Sequence, residues 1–350
     1  MKRIIFIFSA FALLTGCVKN DPVEGAGAGE LSQEAIAFDA PVLMPSVKAG
    51  VAEVPATYDD DLTFGVFASN ANTSSWKEFS GIYKDAFEFP AFYMNNVEIS
   101  RQPVDENYVW KNAAKKYYWP KSSYLYFFAY SPYKSNLASV TETGLAFTDY
   151  VVLTDVEKQE DLLYTGLCPQ NKPYVTVEFQ HALSAINFVV SKSAETDAPI
   201  AVKSIGLYGV KDKGNFSVGL GYDENSLITY TPAWSNQVYS NGLTCSYSAF
   251  YPATPHELDT TPRYVHNIGG TGAADKATLM LMPQPVGDMR VEIYYQLDGI
   301  TQYESFSIPD EWKPGMRYTY TLTFTAEEIL FEPEAEAWDD SDDPNEDKNF

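Results

Sequence analysis

The carboxylates, histidines and thiols of this chain are the residues that could do chemistry, and they are sparsely placed. Its 350 residues include three Cys and three His, which leaves little material for a metal site. Asp59-Asp60-Asp61 is the densest carboxylate cluster. Calcium takes about 6–8 oxygen ligands, so the triplet reads first as a solvated turn, with calcium binding as the weaker alternative. Asp155–Gly166, DVEKQEDLLYTG, sets acidic residues ahead of Leu162-Leu163-Tyr164. Paired carboxylates can move protons, yet no His, Ser or Cys nearby in the sequence stands as their partner, and a solvated, capping turn is expected. His181 has no second His close by and is expected to be a satisfied structural histidine rather than a base or ligand.

The patterns that assemble a nucleophile, a zinc site or a phosphate cradle are missing: there is no GxSxG, HExxH or P-loop. Gly269-Gly270-Thr271-Gly272 has no amphipathic helix after it, so phosphate binding is not expected. No catalytic residue, metal ligand or cofactor is therefore assigned, and the chain reads as a binding or structural protein rather than an enzyme. Its formal net charge of -23 excludes nucleic acid as a partner, because tracking a phosphate backbone needs clustered Lys and Arg.

The third thiol has a context of its own. Met1–Cys17, MKRIIFIFSAFALLTGC, begins with Lys2 and Arg3, continues with an apolar run from Ile4 to Leu14, and ends in Leu14-Thr15-Gly16-Cys17. So short a run with a basic start is a secretory leader, not a membrane span. The ending resembles the lipobox of bacterial lipoproteins. That resemblance implies removal of a signal peptide, residues 1–16, and acylation of Cys17. Several acyl chains anchor firmly, since each buried methylene contributes about 0.8 kcal/mol. Residues 17–30, with Gly25-Ala26-Gly27-Ala28-Gly29, form a flexible tether. Asp21 and Glu24 are a thin version of the acidic signal that sends such lipoproteins to the outer surface. Cys168 and Cys245 remain as either a disulfide or two buried thiols, and the sequence leaves both open.

The rest of the chain reads as strands. In Lys115–Tyr133, KKYYWPKSSYLYFFAYSPY, Tyr124, Tyr126, Phe128 and Tyr130 take one side and Leu125, Phe127 and Ala129 the other. A run apolar on both faces and rich in aromatics is a strand covered on both sides, as in a sheet sandwich. Tyr108–Lys111 is expected to form a hairpin with this stretch, and Ser69–Asn107 to be loop-rich, with strands on long connections rather than a helix. Glu34–Leu43 has strand character at Ile36 and Phe38, Pro45–Thr57 is a loop, and Leu62–Ala68 is a second strand. Cys168–Pro173 is the best boundary, dividing an N-terminal domain, 31–170, from a C-terminal one, 171–338. Beyond it Val175, Val177 and Phe179 share a face, and Ala185–Val190 resumes as strand. Asp298-Gly299 is a hairpin turn. In Met316–Phe324, Tyr318, Tyr320, Leu322 and Phe324 point inward. Glu327–Trp338 is one more extended segment, and the acidic residues 339–350 form a disordered tail.

Several pieces together resemble the fimbrillin-like family, lipoproteins of anaerobic Gram-negative bacteria. They are the lipobox at Cys17, Phe64-Gly65-Val66-Phe67-Ala68, Tyr117-Tyr118-Trp119-Pro120, Phe128-Ala129-Tyr130-Ser131-Pro132 and Asp161-Leu162-Leu163-Tyr164. The second half adds Val177–Ser184, Gly315-Met316-Arg317-Tyr318 and Trp338. Each is weak alone; their order and spacing make the likeness.

The resemblance implies an all-β protein of two tandem β-sandwich domains with transthyretin-like topology. It implies a stalk, tip or anchor subunit of a surface fimbria (a pilus), active in cell adhesion and assembled by donor-strand exchange with other fimbrial subunits. A protease cuts the loop after the first strand, the strand leaves, and the C-terminal strand of the next subunit fills the groove. On this chain the displaced strand is Glu34–Leu43, with Ile36 and Phe38 in the groove, and the donor is Glu327–Trp338, with Ile329, Phe331 and Trp338. Family processing is arginine-specific, but no Arg lies between Arg3 and Arg101, so Lys48 is the candidate cleavage site. An uncut chain would keep its lipid, palmitate among the acyl groups, and stay as an anchor on the outer membrane. The alternative is a monomeric surface lipoprotein binding a glycan or host ligand, as a tip adhesin or for nutrient capture; the 15% aromatic content motivates it.

Overall fold

Every residue of Leu125–Ser131 is buried, and the two faces of this strand enter two different cores. Leu125, Phe127 and Ala129 join one hydrophobic cluster. Tyr126, Phe128 and Tyr130 join a larger one. Such burial on both faces is what the unbroken aromatic run requires.

The computed structural model describes residues 35–44, 56–70, 92–105, 107–120, 125–141, 144–166, 168–170, 174–222, 228–242, 246–265, 278–285, 287, 289–309 and 311–338. The leader, Cys17, the tether, Lys48, Cys245, the Gly269–Gly272 loop and the 339–350 tail lie outside them.

Strands dominate, with a 3-10 turn at Val156–Lys158. The first half contains β1 (Ala37–Phe38), β2 (Val42–Leu43), β3 (Ala56–Thr57), β4 (Phe64–Asn70), β5 (Phe92–Val104), β6 (Asn107–Lys111) and β7 (Leu125–Ser131). The hairpin β8 (Ala138–Thr141) and β9 (Gly144–Val151) follows, then β10 (Leu163–Tyr164), β11 (Cys168–Gln170), β12 (Tyr174–Val175) and β13 (Glu178–His181). The second half opens with β14 (Ser184–Lys192), β15 (Ile200–Tyr208), β16 (Lys213–Tyr222), β17 (Ile228–Val238), β18 (Ser246–Phe250) and β19 (His256–Glu257). It closes with β20 (Arg263–Tyr264), β21 (Leu279–Leu281), β22 (Arg290–Leu297), β23 (Ile300–Ser307), β24 (Met316–Phe324) and β25 (Ile329–Ala337).

The N-terminal sheet runs β12-β1-β6-β5-β4-β7-β10-β13-β2-β3. Because β12 and β13 belong to one stretch, as do β1 and β2, this sheet curls until segments 36–44 and 174–181 lie side by side in parallel. The C-terminal strands form a sandwich of β20-β14-β24-β25 and β18-β15-β22-β23. Its register follows the sequence: Tyr318, Tyr320, Leu322 and Phe324 are buried. The Asp298-Gly299 turn joins β22 to β23, with φ of 49° and 77° at its two residues.

A further sheet, β17-β16-β9-β8, pairs Phe147 with Phe216 and packs on the outer face of β7. It is built from strands on both sides of the 170/171 line.

One sequence expectation fails here. β6 pairs with β5 and β1, not with the aromatic strand: Asp105, at φ 53°, turns the chain straight back so that Val104 faces Asn107. Among the strands expected in the loop-rich 69–107 stretch, Phe92–Val104 runs for 13 residues. Asn96 at φ 46° and the register shifts between Val66 and Ser69 break its alternation, which hides the two-residue period.

Candidate functional site

Segment 36–44, AFDAPVL at its centre, is the first strand. Ile36 and Phe38 sit two residues apart, so both point the same way and both are buried. Phe38 meets Phe64 edge-on at 5.5 Å and Phe127 at 6.0 Å. Around them Tyr58 packs on Phe179 at 5.4 Å and on Trp110 at 5.4 Å. Pro41 offers no N–H, and the strand changes partners there: β1 lies between β6 and β12, and β2 lies between β13 and β3. Each piece pairs over only two residues with the 174–181 segment. Backbone bonds reinforce it: Asp39 N–H donates to Val175 O at 3.0 Å, Val42 N–H to Val177 O at 3.2 Å, and Met44 N–H to Phe179 O at 2.7 Å.

The side chains beneath this strand are closed to solvent. Burial pushes the Tyr58 hydroxyl well above its ordinary range, against the pull of its 2.7 Å bond with Ser131 Oγ. On the facing segment, burial also raises the Glu178 carboxyl, beside Val42. Tyr150 and Tyr164 in the second core are raised by burial as well.

The last strand is held differently. β25 makes nine consecutive antiparallel pairs with β24, from Phe324–Ile329 to Met316–Ala337. Thr325 Oγ1 accepts from the Glu327 and Glu328 N–H groups and so fixes the turn between them. Ile329 is buried. Phe331 is half-buried and stacks between Phe306 at 5.0 Å and Tyr320 at 5.4 Å. After it the strand presents Glu332, Pro333, Glu334 and Ala335 to solvent. Trp338 closes the element: its N–H donates to Gly315 O at 2.9 Å, and its ring lies flat on His181 at 3.8 Å.

His181 is buried, and its Nδ1 is 2.5 Å from Asp161 Oδ2. The carboxylate run thus does have a histidine partner, one that sequence proximity could not reveal because β10 and β13 bring it over by pairing Leu163 with His181. With Trp338 covering the ring, the pair locks structure, as expected of a satisfied histidine. The Asp59 cluster is a turn: Asp59 Oδ1 accepts from Asp61 N–H at 2.9 Å, and Asp60 pairs with Arg101 at 2.6 Å.

Both terminal strands therefore abut one continuous stretch, Phe38 at Val175 and Trp338 at His181. They also share a sequence pattern that the sequence reading missed: Ile36-Ala37-Phe38-Asp39 in the first and Ile329-Leu330-Phe331-Glu332 in the last. The structure docks Ile329, Phe331 and Trp338 against this chain's own sheet, and Ile36 and Phe38 in its own N-terminal core.

Comparison with known proteins gives a consistent set of likenesses. A family model described as fimbrillin-like matches residues 52–338. A candidate cell adhesion protein from Bacteroides uniformis superposes with a TM-score of 0.50 at 14% identity, over 87% of this chain and 98% of that one. A fimbrial protein from Bacteroides vulgatus gives 0.47 at 18% identity, over 79% and 92% of the two chains. A candidate cell adhesion protein from Bacteroides ovatus gives 0.48 at 16%, over 88% and 98%. A search of curated protein sequences finds no match.

Proposed function

This chain belongs to the fimbrillin-like family, and from that membership we propose that it is a cell-surface fimbrial subunit that serves adhesion and joins its neighbours by strand donation. The observation that carries this reading is the shared Ile-x-Phe-acidic pattern of the two terminal strands, one seated in a core and the other on an open edge. In the proposed assembly, cleavage within Pro45–Thr57, with Lys48 as the candidate site, frees the first strand. Departure of Ile36 and Phe38 exposes a groove walled by Phe64, Trp110, Phe127 and Phe179. Ile329 and Phe331 of a neighbouring copy bring the same side chains two residues apart, and the 174–181 segment offers the carbonyls that the first strand used. Ladder bonds with side chains in matching pockets are the physics of β-augmentation. A contact of this kind that runs from one end of a subunit to the other end of the next does not close, and it grows a filament.

Lipid at Cys17 delivers the chain to the outer membrane before cutting and anchors any subunit that stays uncut. The cell-adhesion description of the Bacteroides uniformis structure supports this reading.

Intact mass and N-terminal sequencing of the protein from cell-surface filaments test the reading. An N-terminus near Ala49 is the expected result. A full-length chain with lipid on Cys17, found only outside filaments, would remove the polymerising role and leave an anchor or a monomeric binding lipoprotein.

A further inference from the structure

The outer face of the C-terminal sheet carries a second arrangement that strand donation does not use. Strand pairing sets its rows. Tyr208, Arg290 and Ser307 lie side by side across β15, β22 and β23. Gly206, Glu292 and Ser305 form the next row, and Ser204, Tyr294 and Tyr303 the one after. At the first row the surface opens into a cleft of about 450 Å³, lined by Tyr208, Tyr239, Met289, Arg290 and Ser307. That volume lies within the roughly 300–1,000 Å³ typical of small-molecule sites. At the third row Tyr294 and Tyr303 are 44% and 47% exposed, with ring centroids 4.9 Å apart. Two residues of strand separate successive rows, so cleft and tyrosine pair stand roughly 13 Å apart.

Between them lies a fixed polar network over a floor of glycine and serine. The Arg290 guanidinium sits 4.1 Å above the Tyr208 ring. Its Nε donates to Glu292 Oε1 at 2.9 Å, and the Tyr303 hydroxyl donates to the same oxygen at 3.4 Å. A cross-strand aromatic pair alone would account for Tyr294 and Tyr303 as sheet stabilisers. It would not account for a clamped arginine and a cleft in line with them.

The charges described on the strands of this face balance. Arg290 and Lys203 stand against Glu292 and Glu257 on its described strands, in a chain whose net charge is -23. Exposed aromatic rings stack on the C–H faces of sugars, and planar amide, carboxylate and guanidinium groups bond their hydroxyls. We infer that this face binds a neutral oligosaccharide of a few units, with one residue in the Tyr208–Arg290 cleft and another on the Tyr294–Tyr303 platform. A balanced face does not select an anionic ligand.

The site goes beyond strand donation, so the full mature chain, uncut and monomeric, is the material for its test. Mannotriose, cellotriose and N-acetyllactosamine serve as neutral probes and 3′-sialyllactose as the anionic one, with binding followed by saturation-transfer NMR and calorimetry. A neutral probe is expected to bind in the millimolar range or tighter. Tyr294→Ala and Tyr303→Ala should each weaken it by about tenfold, and Tyr294→Phe, which keeps the ring, should not. Tyr108→Ala, which removes a tyrosine on β6 that is 58% exposed, should leave binding unchanged. Absence of binding by every neutral probe, tighter binding of the sialylated one, or full binding by a folded Tyr294→Ala chain would overturn the assignment. Failure of filament assembly would not touch it.

Discussion

The first and last strands of this chain are held in opposite ways. Segment 36–44 has two short parallel ladders broken at Pro41, but it drives Ile36 and Phe38 into an aromatic core. β25 has nine unbroken ladder pairs, yet beyond Phe331 it packs little and shows solvent a row of glutamates around Pro333. One is held by its side chains and the other by its backbone. Proline and charge on an edge strand discourage indiscriminate pairing, whereas in the proposed assembly the segment held by two large apolar residues gives way to a strand carrying the same two.

The sharpest way to break this contrast is to shave the first strand's anchor. Phe38→Ala should cost about 3–5 kcal/mol, the usual range for a buried phenylalanine, read from urea unfolding of the uncut chain. A loss below about 1 kcal/mol would mean that the ladder, not the ring, holds the strand.

Phe331→Ala on β25 should cost less, about 1–2 kcal/mol, because only part of the ring leaves water and nine ladder pairs remain. Equal losses at Phe38 and Phe331 would erase the difference between the strands.

Alkaline pH probes the core under the first strand. In the unfolded chain tyrosine ionises near about pH 10, whereas burial keeps Tyr58 neutral well above that in the fold. The unfolded state then releases the proton first, so each such tyrosine leaves stability unchanged below about pH 10 and lowers it above by about 1.4 kcal/mol per unit. Tyr58→Phe should flatten part of that fall, leaving the share of Tyr150 and Tyr164. An unchanged slope would place the alkaline sensitivity entirely outside the first core.

The smallest effect is expected at Glu334, exposed on β25. Glu334→Ala should alter stability by no more than about 0.5 kcal/mol, and a larger change would show that the acidic row is part of the packing.

The contrast was partly legible in the sequence. Ile36 and Phe38, the Val175-Val177-Phe179 face and the alternation of 316–324 all follow a period of two, and each is buried as that period demands. The covered aromatic strand was legible too, though not that its faces serve two cores. What stayed hidden depends on distant partners or on irregular backbone. The pairing of β9 with β16 across the expected boundary needs knowledge of which strands meet. The His181–Asp161–Trp338 stack joins residues from three separate elements. The outer-face tyrosines could not be told from core ones, because composition counts aromatic residues without saying which way they point.

The most direct test replaces one strand by the other. A specific protease site is built in between residues 45 and 55, the purified chain is cut, and a synthetic peptide of residues 327–338 is added while native mass spectrometry follows both fragments. The account predicts that the 36–44 fragment leaves and the peptide takes its place, and that a peptide with Ile329→Ala and Phe331→Ala fails to do so. A fragment that stays bound, or a peptide that binds equally well without those two side chains, would contradict it.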